Sequence, residues 1–130
     1  MTTPITPITA TTASILFAHG AREPRWLAPF QRLQKMTQES LPEQRVELAF
    51  LEFMQPNLPD LVASLVASGC QRITVTPVFL GQGGHVLRDL PLLAEQLRAS
   101  YPQLHLHIAM AVGEDEAVLS AIRDYCIKQS

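Results

Sequence analysis

Four short apolar runs, each followed by an amphipathic stretch, limit what this chain of 130 residues can build more than any other feature of it. The first run, Ser14-Ile15-Leu16-Phe17-Ala18, reads as a buried strand ending at His19-Gly20. Pro24 then opens a helical pattern to about Ser40, with Trp26, Phe30, Leu33 and Met36 near helical spacing. Val46 to Phe53 is the second strand. Asn57 is the expected N-cap of a helix over Leu58 to Ser68, with Gly69 at C′. The third strand, Ile73 to Leu80, contains Pro77, which costs a ladder hydrogen bond and predicts an edge position or an irregular ladder. A helix is expected from a cap near Asp89, with Leu90, Leu93, Ala94 and Leu97 on its apolar face. Leu104 to Met110 is the fourth strand. Glu114 to Ile127 is the last helix, with Val118, Ala121, Ile122 and Tyr125 aligned on one face. These stripes are read as core.

Strands alternating with helices imply right-handed crossovers and an α/β, three-layer sandwich with a four-stranded parallel sheet. The spacing suggests the flavodoxin-like order 2-1-3-4, whose switch point lies between strands one and three. Ligands bind such sheets outside the carboxyl ends of the strands, at that point. His19 ends strand one, and His85 lies five residues past strand three. Both loops therefore flank one crevice, and the expectation of a site rests on this placement.

The length suits one domain, residues 14–130, behind a Thr/Pro-rich flexible leader over 1–13. With 47% hydrophobic and 17% charged residues, the chain can bury a core. A net charge of −2 excludes nucleic acid recruited by bulk electrostatics, so any anionic ligand needs particular arginines. No apolar run approaches the ~20 residues that span a bilayer, and the start lacks the basic and apolar regions of a secretory signal. Cys70 and Cys126 are isolated, which argues against a cysteine-built zinc or iron–sulfur site and for two reduced thiols near helix ends. A reducing cytoplasm fits.

Four groups are candidates for chemistry. In His19-Gly20-Ala21-Arg22, a histidine whose residue type titrates near neutrality can bind a metal or accept a proton. Gly20 lets the backbone turn, and Arg22 offers a fork for carboxylates. Gly81-Gln82-Gly83-Gly84-His85 has three glycines in four positions, which permits a bulky ligand to approach near Gly83 and Gly84, or a mobile loop or loose turn with an exposed histidine, and it lacks the GK[ST] ending of a phosphate loop. Glu52, at the end of strand two, is placed to bind an ion or take up protons, or is a solvated strand end. His105 and His107, spaced i, i+2 on a strand, share one face and fit a partly solvated edge strand better than a chelate.

Three segments carry a likeness: ILFAHGAR at 15–22, AFLEFMQPNLPDLV at 49–62 and ITVTPVFLGQGGHVLRDLP at 73–91. In them the chain resembles the short form of the sirohydrochlorin cobaltochelatases, a CbiX-like group of the class II chelatases. The resemblance spans residues 14 to about 127. It implies the chelatase half-module fold, with two modules facing each other, so a chain this short is expected to form a homodimer. The family's motif histidines match His19 and His85, and its strand-two glutamate matches Glu52. Ala21 stands where the family usually has Ser.

The activity so implied is insertion of a divalent ion, Co2+ foremost with Ni2+ or Fe2+ as options, into sirohydrochlorin or a related tetrapyrrole of cobalamin or sirohaem biosynthesis. His19 and His85 would hold the ion. They or Glu52 would accept the pyrrole protons, and Arg22 and Arg88 would pair with peripheral carboxylates. No redox step is involved, so no organic cofactor is expected. The alternative is a non-catalytic metal or tetrapyrrole carrier, for which Ala21 is the best support. A phosphohistidine mutase ranks lower, because Ala18 stands where those enzymes have Arg before His-Gly. A purely structural flavodoxin-like module leaves the paired histidines unexplained.

Overall fold

Four β-rich runs pair side by side: β1 (Thr12–Ala18), β2 (Arg45–Phe50), β3 (Arg72–Pro77) and β4 (His105–Ile108), in the order β2-β1-β3-β4. The computed structural model describes residues 10–81 and 83–130, without the side chains of His85 and Leu87. Every pairing is parallel, so the carboxyl ends of all four strands share one edge. This is the expected α/β sheet in the expected order. β1 reaches further back than expected, because Thr12 and Ala13 pair with Arg72 and Ile73. Those two residues belong to the domain, while 1–9 of the expected leader lie outside the described residues.

Pro77 does not put β3 at an edge; the strand lies between β1 and β4. The backbone alternation explains this. Val78 N–H donates to Phe17 on the β1 side, at 2.8 Å, so Pro77 faces the β4 side. There Val75 accepts from Ala109 N–H, and the β3–β4 ladder ends at the Val75–Ile108 pair. The missing N–H falls where no partner is needed.

α1 (Ala28–Ser40) follows a 3-10 turn at Pro24–Leu27. α2 (Leu58–Ala67) starts as expected, with Asn57 Oδ1 accepting from Asp60 N–H at 2.9 Å, and Gly69 beyond it has φ +105°. α3 (Gly84–Ser100) begins at Gly84 rather than near Asp89. Its buried stripe is Val86, Leu90, Ala94 and Leu97, so Val86 extends the i, i+4 pattern one turn upstream of the residues that signal it. Pro91 lies inside this helix, where its absent N–H removes one internal bond. α4 (Glu116–Gln129) is capped by Asp115, whose carboxylate accepts from Val118 N–H.

Two apolar clusters sandwich the sheet. Ala13, Ile15 and Phe17 of β1 join Ile73 and Val75 of β3 beneath α2 and α3. Leu16 and Ala18 join Val46, Leu48 and Phe50 beneath α1, against Trp26, Phe30 and Leu33. Two expected core assignments fail. Met36 is 62% exposed, because α1 turns that position outward. In α4 no residue is buried, and Ile122 and Tyr125 face solvent; the helix packs chiefly on the short 3-10 turn before it. Cys70 is buried past the end of α2, whereas Cys126 on α4 is exposed, and both are free.

Candidate functional site

The ladder between β1 and β2 continues beyond the strands: Leu51 N–H donates to Ala18 O (2.9 Å) and Glu52 N–H to His19 O (3.0 Å). The first polar residues past two neighbouring strands are thus tied together by backbone. Gly20 makes this possible. Its φ is +87°, and a Cβ built on it would collide with the Glu52 carbonyl oxygen. No larger residue fits here without moving one strand end from the other.

His19 is exposed and stacked on Phe79, ring centroids 4.3 Å apart and tilted by 35°. Phe79 is itself 4% exposed and meets Phe17 edge-on at 5.9 Å. The imidazole therefore rests on a ring fixed in the core, which restricts its orientation while leaving it open to a ligand. Arg22 lies over the Phe53 ring, its guanidinium carbon 4.4 Å from the centroid. Phe53 has φ +67°, a left-handed conformation that bulky residues rarely adopt.

On the other side of His19, the chain leaves β3 and enters α3 at Gly84. His85 therefore occupies the first turn of a helix rather than a loop, a correction to its expected setting; its side chain lies outside the described residues. Gly83 is the extended N-cap residue, and added Cβ atoms at Gly83 or Gly84 would meet nothing within 4 Å. The fold does not require glycine at either position. Arg88, one turn further on, is exposed. The structure thus joins His19 and Glu52 at the neighbouring ends of β1 and β2, with Arg22 over Phe53 just beyond them, and β1 and β3 are neighbours, so the helix carrying His85 and Arg88 starts from the adjacent strand.

His105 and His107 share one face of β4 and are exposed, opposite Leu106 and Ile108. Register places them with Arg72 and Thr74, on the side of the sheet where α1 covers only β1 and β2. No group of three or more His, Cys, Asp or Glu side chains able to hold a metal occurs among the described residues. No helix among them is long and apolar enough to cross a membrane. Sequence reasoning missed the roles of Phe79 and Phe53. Phe79 looked like one more apolar strand residue, and the left-handed turn at Phe53 has no glycine or asparagine to signal it.

The family model CbiX matches residues 13–128. A sirohydrochlorin cobaltochelatase of Methanocaldococcus jannaschii is 36% identical over 81 residues, covering 62% of this chain and 57% of that protein. One from Methanococcus aeolicus is 32% identical, covering 61% and 55%. The chain thus spans a little over half the length of these curated relatives. A third, from Saccharolobus solfataricus, is 28% identical over 110 residues and is 84% covered. Among solved structures, a CbiX protein assigned to cobalamin (vitamin B12) biosynthesis in Marinobacter aquaeolei VT8 superposes with a TM-score of 0.79 at 30% identity, over 91% of this chain and 96% of that one. A sirohydrochlorin chelatase, SirB from Bacillus subtilis subspecies spizizenii in complex with cobalt, shares the fold, with a TM-score of 0.76 at 21% identity; 91% of this chain matches 50% of that one.

Proposed function

The chain belongs to the CbiX family, and from that premise we propose that it inserts a divalent metal ion, Co2+ before Ni2+ or Fe2+, into sirohydrochlorin or a related tetrapyrrole. The observation that carries this reading is the exposed His19 imidazole at the switch point of the sheet, backed by Phe79 and joined through its backbone to Glu52. His19 and His85 serve as borderline ligands for the incoming ion. As the macrocycle nitrogens coordinate, two pyrrole protons leave, and Glu52 or a histidine accepts them. Arg22 and Arg88 pair with the peripheral carboxylates, which lets a chain of net charge −2 bind a polyanion. The place of work is cytoplasmic cobalamin or sirohaem biosynthesis.

The same reading makes the working unit a homodimer. A helix of 14 residues is marginal alone in water, and α4 exposes Leu119, Ile122, Tyr125 and Ile127 with none of its residues buried. A second copy that covers this helix supplies the burial the protomer lacks.

His85→Ala tests the assignment. Cobalt insertion into sirohydrochlorin, followed by the change in macrocycle absorbance, should fall by about 10²-fold or more while the thermal transition stays put. Wild-type rates in that variant remove His85 from the mechanism. A wild-type protein that binds sirohydrochlorin and Co2+ without speeding insertion is a carrier, not an enzyme.

A further inference from the structure

The face of the sheet beneath α1 changes character from strand to strand. On β1 and β2 it is apolar and covered, with Leu16, Ala18, Val46, Leu48 and Phe50 packed under the helix. On β3 and β4 the same face carries Arg72, Thr74, Thr76, His105 and His107, all polar. Register sets these side chains in rows across the strands: Thr12, Arg72 and His105, then Ser14, Thr74 and His107. Each row crosses two gaps of about 4.8 Å, so roughly 10 Å separates its ends. The first row and the Thr74–His107 pair line an open groove of about 480 Å³ at the amino ends of the strands, bordered by Arg98 of α3 at the free edge of β4. β1 is 7 residues long, so roughly 23 Å lies between this groove and His19 at the other end of that strand.

We infer that this groove is a binding site for a phosphate-bearing small molecule, separate from the chelatase site and independent of that reading. A merely solvated face mixes both signs of charge. This one does not: the chain has 12 acidic residues against 10 Lys and Arg, yet no Asp or Glu lines the groove. Arg72 and His105 are direct cross-strand partners, an apposition that gains nothing within the chain. The side chains of Arg72, His105 and His107 make no hydrogen bond or ion pair among the described residues. An anion supplies the partner they lack, whereas a cation held between the imidazoles would meet the Arg72 guanidinium. Arg98 is already oriented. Its Nε and Nη2 donate to Leu106 O at 3.2 and 2.8 Å, which holds the guanidinium at the border of the groove. Fixing it for a ligand therefore costs little further entropy. The donors select the kind of anion. The Arg72 fork, the imidazoles and the hydroxyls of Thr12 and Thr74 rise from three strands with Arg98 at the side, so they meet a ligand in more than one plane. A carboxylate offers its oxygens in a single plane. A phosphate spreads them over a tetrahedron and still pairs bidentately with arginine. The volume lies within the range of small-molecule sites, about 300–1,000 Å³, so room remains for the group that bears the phosphate.

The test is an amide NMR titration of the full chain with pyrophosphate at constant ionic strength, run beside calorimetric titration, thermal unfolding and cobalt insertion. Saturable shifts should appear at the amides of Arg72, Thr74, His105 and His107. Arg72→Gln should weaken pyrophosphate binding about tenfold, the loss of one charged hydrogen-bonding partner, and Arg72→Gln combined with His107→Gln about 100-fold. Both variants should keep the wild-type thermal transition and insertion rate, because the groove is remote from His19. Citrate should bind about tenfold more weakly than pyrophosphate, or weaker still. Shifts confined to residues 19–22 and 84–88 would put the anion at the chelatase site and overturn the inference. An equal response to sodium chloride at matched ionic strength marks screening alone and overturns it too. Citrate that binds as tightly as pyrophosphate overturns the assignment to phosphate. The NMR map is made on the wild type, so the inference can fail even where a variant does not fold. A chain that binds pyrophosphate in this groove yet inserts no cobalt sinks the chelatase reading alone.

Discussion

Gly20→Ala should be among the most damaging small substitutions in the chain, and Gly69→Ala is its internal control. Both glycines have positive φ, +87° and +105°. Alanine in that region costs about 1–2 kcal/mol, and its lower unfolded-state entropy returns about 0.4–1 kcal/mol at both sites. These contributions cancel in the comparison. What differs is space: a Cβ at Gly69 meets nothing within 4 Å, whereas at Gly20 it strikes the Glu52 carbonyl oxygen. Relieving that collision means separating the chain past β2 from the chain past β1, at about 1–3 kcal/mol. Gly20→Ala should therefore lose about 1–3 kcal/mol more than Gly69→Ala, out of a total stability of about 5–15 kcal/mol. Urea denaturation reads this as a lower midpoint at unchanged slope. Because the same movement stretches the bond from Glu52 N–H to His19 O, cobalt insertion should also fall in Gly20→Ala and not in Gly69→Ala. Equal destabilisation of the two variants would show that the strand ends are not packed as described, and the reasoning would fail.

Two further outcomes are expected. Phe79→Leu keeps most of the apolar volume, so stability should drop by under about 1.5 kcal/mol, while insertion slows because His19 loses the ring that orients it; an unchanged kcat would dismiss the stack. Burial pushes the Cys70 thiol above its ordinary pKa of 9.0, with Arg45 lowering it and Glu47 raising it by smaller amounts. A raised thiol pKa means the folded chain keeps a proton that the unfolded chain has lost. Its contribution to stability is thus full below about pH 9.0, lost as pH rises towards the folded value, and absent in Cys70→Ala; a melting temperature with the same alkaline dependence in both proteins would refute this.

Where the sequence and the fold diverge, the divergence has local causes. The sequence places the start of α3 too late because glycines at 83 and 84 carry no helical signal and Pro91 resembles a first-turn residue, whereas burial of Val86 against the sheet pulls the helix upstream. Pro77 suggested an edge because a proline cannot donate to a ladder. Only the register shows that its nitrogen faces the side where β4 has already ended. The stripe on α4 has the periodicity of a core face, but periodicity does not say which surface covers it.

Sequence alone determined the alternation of strand and helix, the parallel order 2-1-3-4, and the positions of His19 and Glu52 at strand ends. Those follow from apolar period, crossover handedness and turn residues, all of which act over a few neighbouring positions. Tertiary structure decided what required distant segments to meet: the collision that makes Gly20 indispensable, the Phe79 ring beneath His19, and the Arg22 guanidinium over Phe53. Each joins residues separated by tens of positions in the chain, and such separations carry no periodic mark, because it is packing across the sheet rather than local propensity that brings them together.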